Sequence, residues 1–285
     1  MKDAAFLTFV KLLPKRQLSR FVGGATRLPG LPGAHQAAIH AFAEQYRVNV
    51  DEAELPLEAY ENFSEFFVRK LKPGIRPIAP GEDVVVSPVD GAVSQAGVTT
   101  GGRLIQAKGR DYSLAALLND EEEAKRFTGG AFTTIYLSPR DYHRIHAPLG
   151  GQILGWSYVP GNLWPVNRPS VRGVPELFAV NERAIIWMQT PLGRVAVVAV
   201  GATIVGRIRL SFDELATNQG DPAKRVRYDA PRTVAKGDEI AMFEIGSTVI
   251  LCFEPGRVAL DERLQPEVPL QLGERIGGIP AEGAK

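Results

Sequence analysis

An apolar, β-branched run near the C-terminus, Phe243-Glu244-Ile245-Gly246-Ser247-Thr248-Val249-Ile250, reads as a strand, yet Gly-Ser-Thr stands in its middle. Strands favour bulk at such positions, and a glycine there lets another group approach the backbone closely. The Ser247 hydroxyl is then next to the Gly246 carbonyl, an arrangement suited to a chain that cuts itself. Taken alone, the tripeptide is more simply a β-bulge with solvated hydroxyls. Its meaning depends on what accompanies it.

Upstream, Ser87-Pro88-Val89-Asp90-Gly91 puts an acid at a turn after an apolar strand, a pairing that backbone preference alone would also produce. Ser138-Pro139-Arg140-Asp141-Tyr142-His143-Arg144-Ile145-His146 holds two of the chain's four histidines. No cysteine or third histidine joins them, so a zinc site is not expected. As acid–base groups they need no further ligand, and an imidazole titrates near neutrality. The order Asp90, His146, Ser247 supplies an orienter, a base and a nucleophile. A serine hydrolase with this triad is therefore open, although the Gly-x-Ser-x-Gly elbow is absent. The loop Pro160-Gly161-Asn162-Leu163-Trp164-Pro165-Val166-Asn167 is too apolar to be a mere connector and is a candidate pocket wall. Val200-Gly201-Ala202-Thr203-Ile204-Val205-Gly206 is a strand whose glycines permit close backbone approach.

The elements that must position these residues change character along the chain. Residues 4–22 are apolar with only basic companions (Lys11, Lys15, Arg16, Arg20), as a helix lying among lipid headgroups needs, or as an ordinary packed helix would allow. Pro29-Gly30-Leu31-Pro32-Gly33 is a linker, residues 34–47 carry a helical stripe, and Tyr60, Phe63, Phe67 and Leu71 mark a helix over 57–71. After Pro80 short strands alternate with Gly, Pro, Asn and Asp turns, interrupted by one helix from Ser113 toward Lys125, whose acidic stretch Asp120–Glu123 reads as a solvated face. The fold class expected is α+β, predominantly antiparallel β: a helical portion over 1–75 and a β-rich catalytic domain over 76–285. The 285 residues, 45% hydrophobic and 23% charged, suit a globular protein, and a net charge of +1 gives no reason to expect nucleic acid as partner. Cys252, the single cysteine, sits in an apolar strand and reads as a buried, inert thiol. No run approaches the roughly 20 apolar residues that span a bilayer.

Together these segments resemble a known family. Val89-Asp90-Gly91, the Asp-Tyr-His-Arg-Ile-His of 141–146, the loop 161–167, Val200-Gly201-Ala202 with Val205-Gly206, and Gly246-Ser247-Thr248 follow the pattern of phosphatidylserine decarboxylase proenzymes. Phe63-Ser64-Glu65-Phe66-Phe67-Val68-Arg69 with Arg76-Pro77 is similar to that family's N-terminal part, and the likeness covers about residues 60–255. One departure is Ile245, where leucine, methionine or phenylalanine is often found, an apolar exchange that leaves cleavage possible.

The resemblance implies that the chain is a self-processing, pyruvoyl-dependent decarboxylase converting phosphatidylserine to phosphatidylethanolamine and carbon dioxide. His146, oriented by Asp90, would take the Ser247 proton, and cleavage between Gly246 and Ser247 would give a long chain (1–246) and a short chain (247–285). Ser247 would become the pyruvoyl group, the only cofactor, with no metal, and substrate would join it as a Schiff base. His143 would position the carboxylate or supply a proton, and Leu163, Trp164 and Val166 would form a small apolar substrate pocket. The implied partners are phosphatidylserine, an anionic membrane surface and a second copy in a homodimer. The implied location is peripheral, on the cytoplasmic face of the inner membrane. A pyruvoyl decarboxylase of a soluble amino acid is the nearer alternative to the hydrolase.

Overall fold

A computed structural model describes residues 2–27, 34–107, 109–203, 207–244 and 248–280. Helices come first: α1 (Lys2–Leu12), α2 (Lys15–Ala25), α3 (Ala34–Tyr46) and α4 (Phe63–Phe67). The strands that follow are β1 (Val84–Val86), β2 (Gly91–Val98), β3 (Arg103–Ala107), β4 (Arg110–Ser113), β5 (Ala131–Tyr136), β6 (Arg144–His146), β7 (Gly151–Val159) and β8 (Arg183–Thr190). They continue as β9 (Gly193–Val200), β10 (Ile208–Leu210), β11 (Lys224–Val234), β12 (Glu239–Phe243), β13 (Thr248–Phe253), β14 (Ala259–Leu260), β15 (Pro269–Leu270) and β16 (Arg275–Gly278). Between them lie α5 (Leu114–Leu118), α6 (Glu121–Phe127), α7 (Arg168–Gly173) and α8 (Leu177–Val180). The fold is α+β, and every pairing between named strands is antiparallel.

An eight-stranded sheet in the order β11-β7-β8-β9-β13-β5-β2-β15 forms the frame. Its central strand β13 is buried along its whole length. Val249, Leu251 and Phe253 face one core while Ile250 and Cys252 face the other, the two-residue alternation of a strand covered on both sides. The first core is closed by the three-stranded sheets β1-β16-β14 and β10-β12-β6, the second by β3, β4 and helices α5 to α8. Fully burying one such aliphatic or aromatic side chain contributes roughly 1.5–3 kcal/mol, so this double-faced sheet is the rigid part of the molecule. The Cys252 thiol is completely buried there, and burial pushes its pKa up to about 12.

Several sequence expectations are revised. The helix expected over 57–71 is a single 3-10 turn (Leu57–Ala59) followed by short α4, which Asn62 caps through the Glu65 amide. Aromatic spacing there reports a packed cluster, in which Phe42 meets Phe63, Phe66 and Phe67, and not one continuous helix. The helix expected from Ser113 breaks at left-handed Asn119 (φ 51°), and Asp120 then caps α6. Of the acidic stretch taken as solvated, Glu123 is buried, because Arg194 and Arg225 reach its carboxylate. The segment 4–22 is two helices, since Pro14 has no amide to continue α1. Strand β6, inside the histidine motif, went unread because three residues are too few to show an alternation, and the exposed edge strand β11 because Pro231 interrupts its Val226, Tyr228, Ala230 alternation.

Candidate active site

In sequence, the segment that holds Gly246 and Ser247 lies between the end of β12 and the start of β13. That segment, 245–247, lies outside the described residues, but both of its flanks are placed. On one side the Phe243 amide donates to the His143 carbonyl (2.9 Å) and the Glu244 amide to the Arg207 carbonyl (2.9 Å). On the other, Thr248 pairs with Tyr136 of β5 and Val200 of β9, and its hydroxyl is buried without a hydrogen-bond partner among the described residues. Ile204, Val205 and Gly206 also lie outside the described residues.

The histidines come from the loop joining β5 to β6. Asp141 shapes that loop by accepting from the Ser138 amide (2.6 Å) and hydroxyl (2.8 Å). The end of α4 clamps it: Arg69 donates to the Arg140 carbonyl (2.8 Å), and Arg144 donates back to the Val68 carbonyl (2.8 Å). Arg144 also pairs with Glu239 (2.7 Å), and β6 runs beside β12 with His146 opposite Glu239.

His143 is completely buried, with its ring stacked on Phe67 at a centroid distance of 4.1 Å. Neither ring nitrogen completes a hydrogen bond among the described residues. Burial, assisted by the nearby Arg69 charge, lowers its pKa to about 3, although backbone carbonyls at Pro139 and Ser138 pull the other way. His143 is therefore a neutral imidazole with unused donor and acceptor capacity. Such orphaned polar atoms in a protein interior are rare.

His146 is half-buried, and its two nitrogens are both engaged. Nδ1 lies 2.7 Å from the Gly237 carbonyl and Nε2 lies 3.1 Å from the Tyr142 hydroxyl. A carbonyl can only accept, so Nδ1 carries the proton and Nε2 is the basic nitrogen. Burial lowers the His146 pKa, opposed by the Gly237 carbonyl, Glu239 and Asp90 and reinforced by Arg144. Gly237 is a glycine of necessity: its φ is +88°, and a Cβ would stand 2.8 Å from Ile78.

Asp90 sits in the turn between β1 and β2, whose Pro88 carbonyl accepts from the His146 amide (2.9 Å). Its carboxylate is not hydrogen-bonded to His146. It accepts from the Leu272 amide (2.8 Å) and from Arg76 through Nε (3.0 Å) and Nη2 (2.7 Å). Arg76 also pairs with Glu52 (2.7 Å), and the two carboxylates together outweigh burial and raise its pKa. Asp90 thus acts on His146 through charge, and on the N-terminal portion through Arg76.

The apolar loop 160–167 is tied down by Asn181, which is fully buried and bonded to the Trp164 amide (2.9 Å), the Trp164 carbonyl (2.9 Å) and the Gly201 carbonyl (2.8 Å). Of the three residues expected to form a pocket, Val166 lines a cavity of about 370 Å³ with Phe63, Phe67, Tyr136, Leu137 and Ala202. Leu163 is instead buried against Gly201, and Trp164 lies under the Lys15 ammonium, 4.3 Å from its ring centre. The cavity's outer wall is α2, through Val22 and Thr26. Phe67, Arg69, Arg76, Asn181 and Gly237 were not picked out as site residues in the sequence. Phe67 was visible as one aromatic of a stripe and as part of the 63–69 segment, and Gly237 was not singled out. Among the described residues, no three His, Cys, Asp or Glu side chains gather as a metal site would need.

These features coincide with a known family. The family model for phosphatidylserine decarboxylase matches residues 63–278. The chain is 55% identical over 279 residues to a phosphatidylserine decarboxylase proenzyme of Myxococcus xanthus, covering 98% of this chain and all of the relative. It is 44% identical to one from Pseudomonas aeruginosa (96% of each chain) and 43% identical to one from Brevibacillus brevis (93% and 94%). The chain belongs to the phosphatidylserine decarboxylase family.

Proposed function

We propose that this chain cleaves itself between Gly246 and Ser247 and then decarboxylates phosphatidylserine to phosphatidylethanolamine. The observation that carries the reading is His143: buried, neutral, with ring nitrogens that have no hydrogen-bond partner among the described residues, and accepting through its backbone carbonyl from Phe243, three residues before Gly246.

In the first step His146 Nε2 takes the Ser247 hydroxyl proton, with Asp90 and Glu239 stabilising the imidazolium that forms. The serine oxygen attacks the Gly246 carbonyl and exchanges the amide for an ester. Loss of the Ser247 α-proton then expels residues 1–246 as a carboxylate, and water replaces the amine as ammonia, leaving a ketone at the head of 247–285.

The surroundings fit such a pyruvoyl group. The buried, unpartnered Thr248 hydroxyl, the orphaned His143 nitrogens and the apolar cavity beside Tyr136 and Val166 supply hydrogen bonds and exclude water. A ketone amide there supplies the electron sink that loss of carbon dioxide requires. His143, as a neutral imidazole, donates a ring N–H hydrogen bond to the substrate carboxylate, and the proton that takes the place of carbon dioxide comes from solvent, relayed by the imidazole taking a proton on one nitrogen as it gives one from the other. Apolar walls disfavour a buried carboxylate more than departing carbon dioxide.

The lipid is met at the helical end of the molecule. Phe9, Leu12 and Phe21 of α1 and α2 are 62%, 81% and 75% exposed, an apolar tip with Lys11 and Arg20 beside it. No helix among the described residues is long and apolar enough to cross a membrane, so this tip is proposed to rest in the headgroup layer. Phosphatidylserine labelled in its carboxyl carbon tests the reading. The wild-type chain should release labelled carbon dioxide and Ser247→Ala none. Undiminished release by Ser247→Ala would overturn it.

A further inference from the structure

Helix α2 has a second, polar side. Val22 and Thr26 line the catalytic cavity, whereas Arg20, Gly24 and Arg27 recur at steps of four and three on the opposite face. With Arg207, Asn218 and Gln219 they line a separate cleft of about 310 Å³, into which no carboxylate projects among its lining residues. A Cβ added at Gly24 would meet nothing within 4 Å, so the space between Arg20 and Arg27 is open.

The guanidinium groups are held in place. Arg20 Nε donates to the Asn218 carbonyl (3.0 Å), and its Nη2 lies against Gly220, 2.9 Å from where a Cβ would stand. Arg27 pairs with Glu244 (2.7 Å) behind the cleft, and Arg209 approaches the other oxygen of that carboxylate (3.7 Å). The Arg207 guanidinium has no hydrogen-bond or ion-pair partner among the described residues, while its backbone carbonyl accepts from the Glu244 amide. Burial and the charge of Arg27 together lower its pKa. Two arginines thus pair with the Glu244 carboxylate, and Arg20, Arg27 and Arg207 face the same open space. Like charges gathered at this density are stabilised by an anion, and the planar fork of arginine matches the oxygens of a phosphate.

Phe21, exposed to 75%, follows Arg20 directly, so the apolar tip and the cationic cleft lie on adjoining faces of one helix. We infer that the cleft binds a phosphate oxyanion, carried by an anionic lipid other than the molecule undergoing reaction, and thereby fixes the protein on acidic membrane. The choice of a lipid as carrier rests on the membrane docking proposed above.

Sedimentation of the full-length protein with phosphatidylcholine vesicles, with and without phosphatidylglycerol (which has no amine to react), tests this. Gly24→Glu fills the open space with a carboxylate, and Arg207→Gln removes one charge. Circular dichroism and melting temperature serve as folding controls for both. Arg207→Gln is expected to weaken binding to the acidic vesicles about fivefold, and Gly24→Glu by about tenfold or more, with binding to neutral vesicles unchanged. Inorganic phosphate titrated without vesicles separates the sources. If it raises the melting temperature of wild type but not of Gly24→Glu, the cleft takes free phosphate as well. Wild-type affinity for acidic vesicles in both folded variants, with no phosphate effect, would overturn the inference. If only Leu12→Ser and Phe21→Ser lost vesicle binding, membrane docking would stand and the anion cleft would fall.

Discussion

The ring of His143 lies on the ring of Phe67, 4.1 Å between centroids and 20° between planes, so a residue of the N-terminal helical portion forms one wall of a histidine carried by the β-rich part. Helix α4 and the 138–146 loop are further joined by Arg69 and Arg144, each donating to the other's backbone. The helical portion is therefore packed into the candidate site.

Burial of His143 gives a stability slope with pH. Its folded pKa of about 3 lies below the ordinary 6.5, so between those values the unfolded chain binds a proton that the folded chain refuses. Stability is full above pH 6.5 and falls as pH drops through that window, by up to about 1.4 kcal/mol per pH unit from this group. His146, also depressed, adds in the same direction, while Asp141, raised by burial, opposes it. Urea unfolding at several pH values should show a shallower slope for His143→Gln than for wild type. Equal slopes would contradict the burial of a neutral imidazole.

Asp90→Asn should do two separable things. It leaves Arg76, 9% exposed, with Glu52 as its remaining ion-pair partner, a loss on the order of 2–4 kcal/mol by comparison with other broken buried pairs. It also removes a charge that favours protonated His146, so self-cleavage should slow by roughly 10²-fold or more. Arg76→Met should reproduce much of the stability loss, with a smaller effect on cleavage because the Asp90 charge remains. Cleavage time courses read on denaturing gels, beside melting curves, check both.

Val166→Phe places added bulk in the cavity of about 370 Å³. Self-cleavage should continue, because the Val166 side chain lines the cavity with Phe67 and Tyr136 and takes no part in the His146 hydrogen bonds. KM for a short-chain phosphatidylserine should rise. A melting temperature close to wild type would show that the cavity accepts the ring without the about 1–3 kcal/mol typical of overpacking.

Replacing Leu12 and Phe21 by serine should weaken vesicle binding by roughly tenfold or more per residue. Decarboxylation of bilayer substrate should fall further than that of a monomerically dispersed short-chain substrate. Equal losses on both substrates would argue that these side chains act within the fold.

The β-rich body was legible because short apolar runs between Gly, Pro, Asn and Asp turns report strands directly, but the run 243–250 read as one strand is the end of β12 and the start of β13, which belong to different sheets. Asp90, His143 and His146 were legible as chemistry-bearing types near turns. Their partners were not. The Gly237 carbonyl that sets the His146 tautomer is backbone, invisible to residue type, and it reaches His146 across 91 positions of sequence. Asp90 in a turn gives no sign that it will bind Arg76, and Asn181 looks like a loop asparagine until it is found buried under Trp164. Leu163 and Trp164 share the apolar character of Val166, yet only packing decides which of the three faces the cavity.

The central claim is self-cleavage at Gly246/Ser247, and the mass of the purified chain under denaturing conditions tests it most directly. Two chains are expected, residues 1–246 and residues 247–285, the shorter one lighter by one ammonia than a fragment beginning with serine. A single chain of 285 residues, unchanged after prolonged incubation at neutral pH, would contradict the account.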